Sequence, residues 1–207
     1  MQPGIKNTAS EEPQALLTLR GSTRNEQKRV EILMGLGKSV DLDRYGGLLV
    51  AMTLFLEAWE PRVVQAMPPA WRVWFVCRRR SVLLRRDLNA LSLSVSPRKP
   101  LLKIDLATPS AAWGSLYAIE GLTMRNQEIA ARLHEAHGIG AHNGGAYFGA
   151  RGDVTGTLWR ESSKVIQSML EGPKSQAEAC AAAVQTFHAL TKVFLDVPTK
   201  QFAAAYN

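Results

Sequence analysis

The chain has 207 residues and a mass of 22.7 kDa, and 46% of its residues are hydrophobic. This is enough for one domain with a substantial core, and it excludes a disordered protein. The net charge of +7 and the pI of about 9.7 fit an acidic partner, a nucleic acid or an anionic ligand, or a solvated basic surface. The longest apolar run, residues 48–56, is too short to span a bilayer.

The polar start of the chain and its two cysteines indicate a cytoplasmic protein. Residues 1–14 lack the apolar stretch of a secretory signal, so we predict a flexible N-terminal tail there. Cys77 and Cys180 lie far apart and match no metal-ligand spacing. We therefore expect two structural thiols in a reducing compartment, no metal site and no membrane insertion.

Apolar residues recur with the helical period along most of the chain, and strand-like alternation is almost absent. We predict an all-α, single-domain helical bundle over residues 15–196, followed by a C-terminal tail over 197–207. The predicted helices span about residues 15–36, 41–59 (capped by Asp41 or Asp43), 71–91, 108–134, 155–171 and 175–195.

Glycine and proline mark where these helices should end or bend. Gly35 should end the first helix, and Pro61 should kink or end the second. Thr108 and Pro109 form an N-cap followed by proline at the first helical position. Gly121 lies within the 108–134 helix, where glycine is unfavourable unless a group approaches the backbone closely, so we expect a bend at or near it.

Two connecting segments are predicted between the helices. Residues 92–106 are rich in serine and proline and indicate a loop. Residues 137–152 contain six glycines, and we interpret them as a loop with short helical turns. They lack the GxxxxGK[ST] pattern and a preceding strand, so a tight connection is favoured over a phosphate-binding loop.

Two clusters are candidate binding sites, but each has a simpler explanation. His134 and His137 lie three residues apart and could share a metal ion, yet no third ligand accompanies them, and a helix C-terminus favours positive charge by itself. Five arginines between residues 78 and 86 form a basic stretch on the third predicted helix. Interleaved aromatics and a recognised nucleic-acid motif are missing, so a solvated face, or a docking face for an acidic protein, is favoured over nucleic-acid binding.

An apolar stripe on the 108–134 helix is typical of a face turned to the core. It runs through Trp113, Leu116, Tyr117, Glu120 and Gly121 at the spacing i, i+3, i+4, i+7 and i+8. The side chains that we predict to be largely buried are Trp59, Trp113, Leu116, Tyr117, Trp159 and Phe187.

Residues 112–127, AWGSLYAIEGLTMRNQ, resemble the distal helix of biliverdin-producing heme oxygenases, in particular the bacterial branch associated with bacteriophytochromes, which reads G-x-LYV-x-EG-x-x-LGGQ. Five further segments resemble motifs of that family in the same order: residues 19–31, 45–60, 80–91, 147–160 and 183–190. The resemblance covers residues 16–195. It implies the heme oxygenase fold, with a glycine-kinked distal helix, and a family activity that converts haem to biliverdin, CO and iron.

The resemblance also implies the family's ligand-pocket positions, which are Thr23, Gln27, Tyr117, Gly121, Arg125 and Asn126. Gln27 stands where the family's proximal histidine binds haem iron, and no histidine precedes His134. Arg125 and Asn126 stand where two glycines let the distal backbone lie close over the iron. The resemblance therefore implies a kept bundle with a degenerate haem site, without catalytic residues and without haem bound in the family's manner.

Three functions remain open at this point. A non-catalytic regulator that binds a signalling protein, such as a sensor kinase or a phytochrome-type photoreceptor, is favoured. The alternatives are a haem- or bilin-binding protein, and an active heme oxygenase with another axial ligand, for which His142 is the first candidate. In each case Arg125 should reach a carboxylate, with Glu120 and Glu128 nearest in the sequence, or point to solvent.

Overall fold

A computed structural model describes residues 14–35, 41–96 and 99–197 of the chain. These residues form helices and their connections, with no strand, so the all-α prediction is confirmed. Within them lie nine α-helices: α1 Gln14–Met34, α2 Leu42–Ala66, α3 Pro69–Val76, α4 Ser81–Ala90, α5 Pro109–Leu122, α6 Asn126–His137, α7 Ala146–Gly149, α8 Thr155–Met169 and α9 Pro173–Asp196. The helix α1 thus begins at Gln14, inside the predicted tail; the rest of both predicted tails, apart from Val197, lies outside the described residues.

The centre of the bundle is the contact between α5 and α9. A Cβ atom added at Gly114 of α5 would lie 1.9 Å from the Ala179 carbonyl oxygen of α9, so the two backbones touch there. Beside this contact, the Trp59 indole of α2 donates to the Ser115 hydroxyl at 2.7 Å, and that hydroxyl lies 2.6 Å from the Thr186 hydroxyl of α9. Three helices are therefore joined by one buried polar chain.

The predicted core is confirmed except at one residue. Trp59, Trp113, Leu116, Tyr117 and Phe187 are each no more than 6% exposed. Trp159 is only partly buried and packs against the edge of the core.

One helix was predicted over residues 71–91, and this is wrong, because α3 and α4 are separate. The buried carboxylate of Glu60 accepts hydrogen bonds from the backbone N–H groups of Arg80 and Ser81, at 2.8 and 3.1 Å, and from the Ser81 hydroxyl at 2.6 Å. These bonds satisfy donors at the start of α4. The cap comes from another helix, so it leaves no local signal in the sequence.

Pro61 was predicted to kink or end α2, and it does not end the helix. Proline lacks one backbone donor, which weakens a helix. However, α2 continues to Ala66, and Trp59, Val63 and Met67 on both sides of the proline are fully buried. Burial of these side chains outweighs the lost hydrogen bond. In the described part of the chain, no helix is long and apolar enough to cross a membrane.

Candidate functional site

The segment predicted as one helix over residues 108–134 is two helices joined by a 3-10 turn. The Thr108 hydroxyl caps α5 by accepting from the Ala111 N–H at 3.2 Å, as predicted. At the other end, the Thr123 hydroxyl donates to the Glu120 carbonyl at 2.7 Å, and residues 123–125 form the turn before α6 begins. The helix is therefore interrupted two residues after Gly121, close to the position where a bend was predicted.

Gly121 itself is less crowded than the sequence suggested. A Cβ atom there would meet only the Trp159 ring, at an ordinary contact distance of 3.9 Å. The close backbone approach in α5 is at Gly114 instead. The Tyr117 ring also packs on Trp159, with 5.7 Å between ring centroids. Tyr117 and Gly121 thus both face an indole from α8.

The two proximal positions lie one turn apart on α1. Thr23 is buried, and its hydroxyl donates to the Leu19 carbonyl at 2.8 Å. Gln27 is half-buried, and its side-chain amide donates to the Glu31 carboxylate at 2.9 Å. Both polar groups are therefore engaged within their own helix.

Arg125 connects the distal segment to α1. Its Nε lies 3.6 Å from Glu31 Oε1, and its Nη1 lies 3.8 Å from Glu128 Oε2, while the side chain stays 51% exposed. Of the two carboxylates expected, Glu128 is reached and Glu120 is not. Glu31 was missed because it lies far away in the sequence. The result is a polar connection, Gln27–Glu31–Arg125, between α1 and the 3-10 turn that precedes α6.

Asn126 points away from this connection. It is buried, and its Nδ2 lies 3.4 Å from the Tyr147 carbonyl oxygen. Asn126, Arg80 and Arg151 line a cavity of about 10 Å³, which is room for roughly one water molecule. The Nη1 atoms of both arginines have no hydrogen-bond partner among the described residues.

The arginines at residues 78–80 do not form the solvated or docking face that the sequence favoured. Arg80 is 4% exposed, and its Nη2 lies 2.8 Å from Glu120 Oε2, which is equally buried. Arg79 reaches Glu60 at 3.1 Å, and Arg78 reaches Glu161 at 2.6 Å. A buried cation needs a partner, and only the fold brings these carboxylates to the arginines. Arg85 and Arg86 are exposed, as expected.

Burial shifts the pKa values around this cluster. It raises the pKa of Tyr147 to about 12, against the opposing effect of the Arg80 guanidinium, which is hydrogen-bonded to the phenol. It lowers the pKa of Arg151, and the neighbouring charge of Arg80 acts in the same direction. Arg151 also donates to the Arg78 carbonyl at 2.9 Å. The cluster therefore holds several cations close together in a dry environment.

The glycine-rich segment is held as a structural connection. The buried Asp87 carboxylate accepts from the backbone N–H groups of Ala146 and Tyr147 at 2.6 and 2.7 Å. Burial raises the pKa of Asp87, although those two bonds oppose the shift. Tyr45 donates to the Gly144 carbonyl at 2.6 Å, and burial raises its pKa too. The loop with short helical turns is thus present, anchored from α2 and α4.

The remaining sequence candidates lie at the surface. His134 and His137 are exposed in the last turn of α6, and His142 Nδ1 lies 3.3 Å from Arg86 Nη2. The described residues include no group of three or more His, Cys, Asp or Glu that could hold a metal ion. Cys77 is exposed, unlike the structural thiol expected there, because it follows the end of α3.

Comparison with known proteins identifies the class of fold. The chain superposes with a TM-score of 0.72 on the crystal structure of NO- and CO-bound heme oxygenase from Neisseria meningitidis, at 18% identity, over 88% of this chain and 91% of that one. This is the heme oxygenase fold.

Sequence comparison identifies a more specific similarity, to an individual protein. A protein named heme oxygenase from Xanthomonas campestris pv. campestris (strain 8004) is 28% identical over 161 residues, which cover 75% of this chain and 92% of the relative. The chain matches no protein-family model. Fold and sequence together support a heme-oxygenase-like relationship.

Proposed function

We propose that this chain is a heme-oxygenase-like protein that does not convert haem to biliverdin and that regulates a signalling protein by binding it. The observation that carries the first half is the Gln27–Glu31–Arg125 connection, which joins the two segments that flank the family's haem site. This supports the first half of the proposal, because the chain's own side chains contact one another at positions that the family resemblance assigns to the haem site.

The proximal position does not fit haem iron. Haem proteins hold iron through His, Cys, Met or Tyr, and a neutral amide is a poor substitute. The amide of Gln27 is also engaged, because its N–H group donates to Glu31 at 2.9 Å. Only its carbonyl oxygen could ligate iron, and that oxygen is a weak ligand for haem iron.

The distal position adds a second obstacle. Arg125 is always charged, and it is already balanced by Glu31 and Glu128. Moving it to admit a flat apolar ligand would separate these charges. On the other side of the distal helix, the Trp159 ring covers Gly121 and packs on Tyr117. These contacts support a site adapted to something other than haem turnover.

The second half of the proposal rests on the surface of α3 and α4. Val73 and Val82 are 74% and 71% exposed, and the same helices carry the exposed Arg72 and Arg86, whereas Arg85 is paired with Glu57. Apolar side chains among cations suit an acidic protein surface, because the apolar groups supply affinity and the charges supply orientation. A sensor kinase or a phytochrome-type photoreceptor is the kind of partner that we propose.

Haem titration tests the first half of the proposal. The wild-type chain should give no sharp Soret band and no biliverdin when a reductant is supplied. Gln27→His should tighten haem binding at least about tenfold, the smallest change typical of altered metal coordination. Adding Arg125→Gly and Asn126→Gly should tighten it further. Gln167→His, on the exposed face of α8, is the matched control and should leave binding unchanged.

The opposite result is equally clear. If the wild-type chain binds haem and oxidises it, and Gln27→Ala leaves both unaffected, the iron has another ligand and the chain is an enzyme. His142→Ala would then be the first variant to assay. If haem or bilin binds without turnover, the chain is a haem- or bilin-binding protein and the regulatory proposal is wrong.

Partner binding is tested with a purified candidate kinase or photoreceptor. Charge reversal at Arg72 and Arg86 should weaken the complex by about tenfold or more, because two surfaces of like charge would then repel each other. Reversal at Lys164 and Lys174, exposed on α8 and α9, changes the net charge equally and should have little effect. Equal losses in both variants would contradict the assignment of this surface.

A further inference from the structure

A second cavity lies away from the Gln27–Glu31–Arg125 connection. Its volume is about 670 Å³, and it is bounded by α2, by the segment around residues 99–103 and by the C-terminal half of α9. None of the six ligand-pocket positions inferred from the family resemblance lines it. A volume between roughly 300 and 1,000 Å³ is typical of small-molecule sites.

One wall of this cavity is an extended segment that the fold holds in place. The Arg62 guanidinium of α2 donates to the carbonyl oxygens of Leu102 and Ile104, at 2.7 and 2.6 Å. The Asp105 N–H donates to the Gln185 side chain of α9 at 2.7 Å. The wall is therefore anchored to the same two helices that form the other sides.

The anchoring also sets which side chains face the cavity. Leu102 and Ile104 are buried in the core, whereas Leu101 and Lys103, the alternate residues, line the cavity. This is the alternation expected of an extended backbone. Leu101 is 84% exposed, which leaves a large apolar side chain uncovered at the cavity edge.

The apolar part of the cavity lining is aliphatic, while Ser96, His188 and charged side chains make up the rest. Val50 and Leu54 of α2 and Val193 of α9 lie opposite the wall, and no Phe, Tyr or Trp is among the described residues that line it. Flat conjugated ligands are usually held by stacking on aromatic rings. An aliphatic lining favours an alkyl chain over a tetrapyrrole.

The rim carries unbalanced positive charge. Lys99 and Lys103 are exposed, and neither forms an ion pair with any residue that the structure describes. Lys192 also lines the cavity and pairs with Asp196 at 3.0 Å. Three ammonium groups thus face one carboxylate, and the excess charge suits an anion.

We propose that this cavity binds the carboxylate of a long-chain fatty acid, with the alkyl chain against Val50, Leu54 and Val193 and the carboxylate at Lys99 and Lys103. The site is independent of the proposed function, because it shares no residue with the Gln27–Glu31–Arg125 connection. Its ligand would cover Leu101 and balance the two lysines.

The test is a titration of the full-length chain with cis-parinaric acid, a fluorescent fatty acid, followed by displacement with palmitate. We expect saturable binding that palmitate reverses. Lys99→Glu with Lys103→Glu should weaken binding by about tenfold or more, since charge-assisted contacts are lost. Lys164→Glu with Lys174→Glu changes the net charge equally and should leave the affinity within about twofold.

A second variant tests the apolar half. Leu54→Trp fills the cavity from α2 and should lower the affinity without altering the circular dichroism spectrum. Absence of saturable binding would overturn the proposal, and so would equal loss in the two lysine double variants. Displacement of the probe by biliverdin but not by palmitate would replace the fatty acid with a tetrapyrrole and overturn the proposal as well.

Discussion

Two arginine–glutamate ion pairs are both in close contact but differ in how far they are exposed to solvent. Arg80 and Glu120 lie 2.8 Å apart, and the side chain of each is no more than 5% exposed. Arg85 and Glu57 form a close pair at the surface, where the arginine is 58% exposed. Water screens the second pair and not the first, so the same chemistry has different consequences for stability.

We predict that Glu120→Gln lowers the free energy of unfolding by about 3–5 kcal/mol, because it leaves Arg80 buried and largely uncompensated. Glu57→Gln should cost less than about 1 kcal/mol. Urea unfolding of both variants measures the difference. Similar small losses would mean that water or an anion reaches Arg80 in the folded protein.

At the scale of the helix, α5 contains two glycines with different roles. Gly114 lets α5 touch α9, since any Cβ atom would collide with the Ala179 carbonyl oxygen. Gly121 precedes the 3-10 turn, and a Cβ atom there would meet the Trp159 ring at an ordinary contact distance of 3.9 Å. The first glycine is needed for packing, whereas no steric contact requires the second.

Gly114→Ala should therefore destabilise the protein by about 1–3 kcal/mol or more, because no rotamer relieves a clash between Cβ and a backbone oxygen. Gly121→Ala should be neutral or stabilising by up to about 1 kcal/mol, because alanine favours the helix. Thermal unfolding of the two variants measures both changes in stability. A large loss at Gly121 would show that the bend itself needs glycine.

At the scale of the whole molecule, buried polar groups join four of the nine described helices, α2, α4, α5 and α7. Glu60 of α2 caps α4, Asp87 of α4 caps α7, and Arg80 reaches Glu120 of α5. Tyr147 of α7 closes the cluster through its hydrogen bond to Arg80. Stability should therefore respond as a unit to the ionisation of these groups.

This predicts a loss of stability at alkaline pH. Burial raises the pKa of Tyr147 from 10 to about 12. Below pH 10 the folded and unfolded chains both keep the phenol proton, and its contribution is fully present. Between pH 10 and 12 the unfolded chain loses this proton first, so stability falls by up to about 1.4 kcal/mol per pH unit.

Tyr147→Phe should reduce the fall in unfolding free energy per pH unit. Part of the fall should remain, because burial also raises the pKa of Tyr45. Urea unfolding at a series of pH values gives both slopes. Parallel curves for the variant and the wild type would contradict the assignment of the alkaline loss to Tyr147.

Local signals in the sequence were sufficient for the helical class and for most helix starts. The period of apolar residues predicted the bundle, Asp41 and Thr108 marked the starts of α2 and α5, and the stripe around Trp113 and Leu116 turned out to be core. These features depend on interactions between residues within a few positions of one another, so they can be predicted from the sequence directly.

The tertiary structure alone decided where charges meet. Glu31 lies 94 positions before Arg125, Glu60 lies 20 before Arg80, and Arg62 lies 40 before Leu102. Such pairs form because packing of the helices brings them together, and no periodicity encodes the distance between them. For that reason the family resemblance could imply a changed haem site, whereas the Gln27–Glu31–Arg125 connection, the buried arginine and the cavity between α2 and α9 emerged only from the fold.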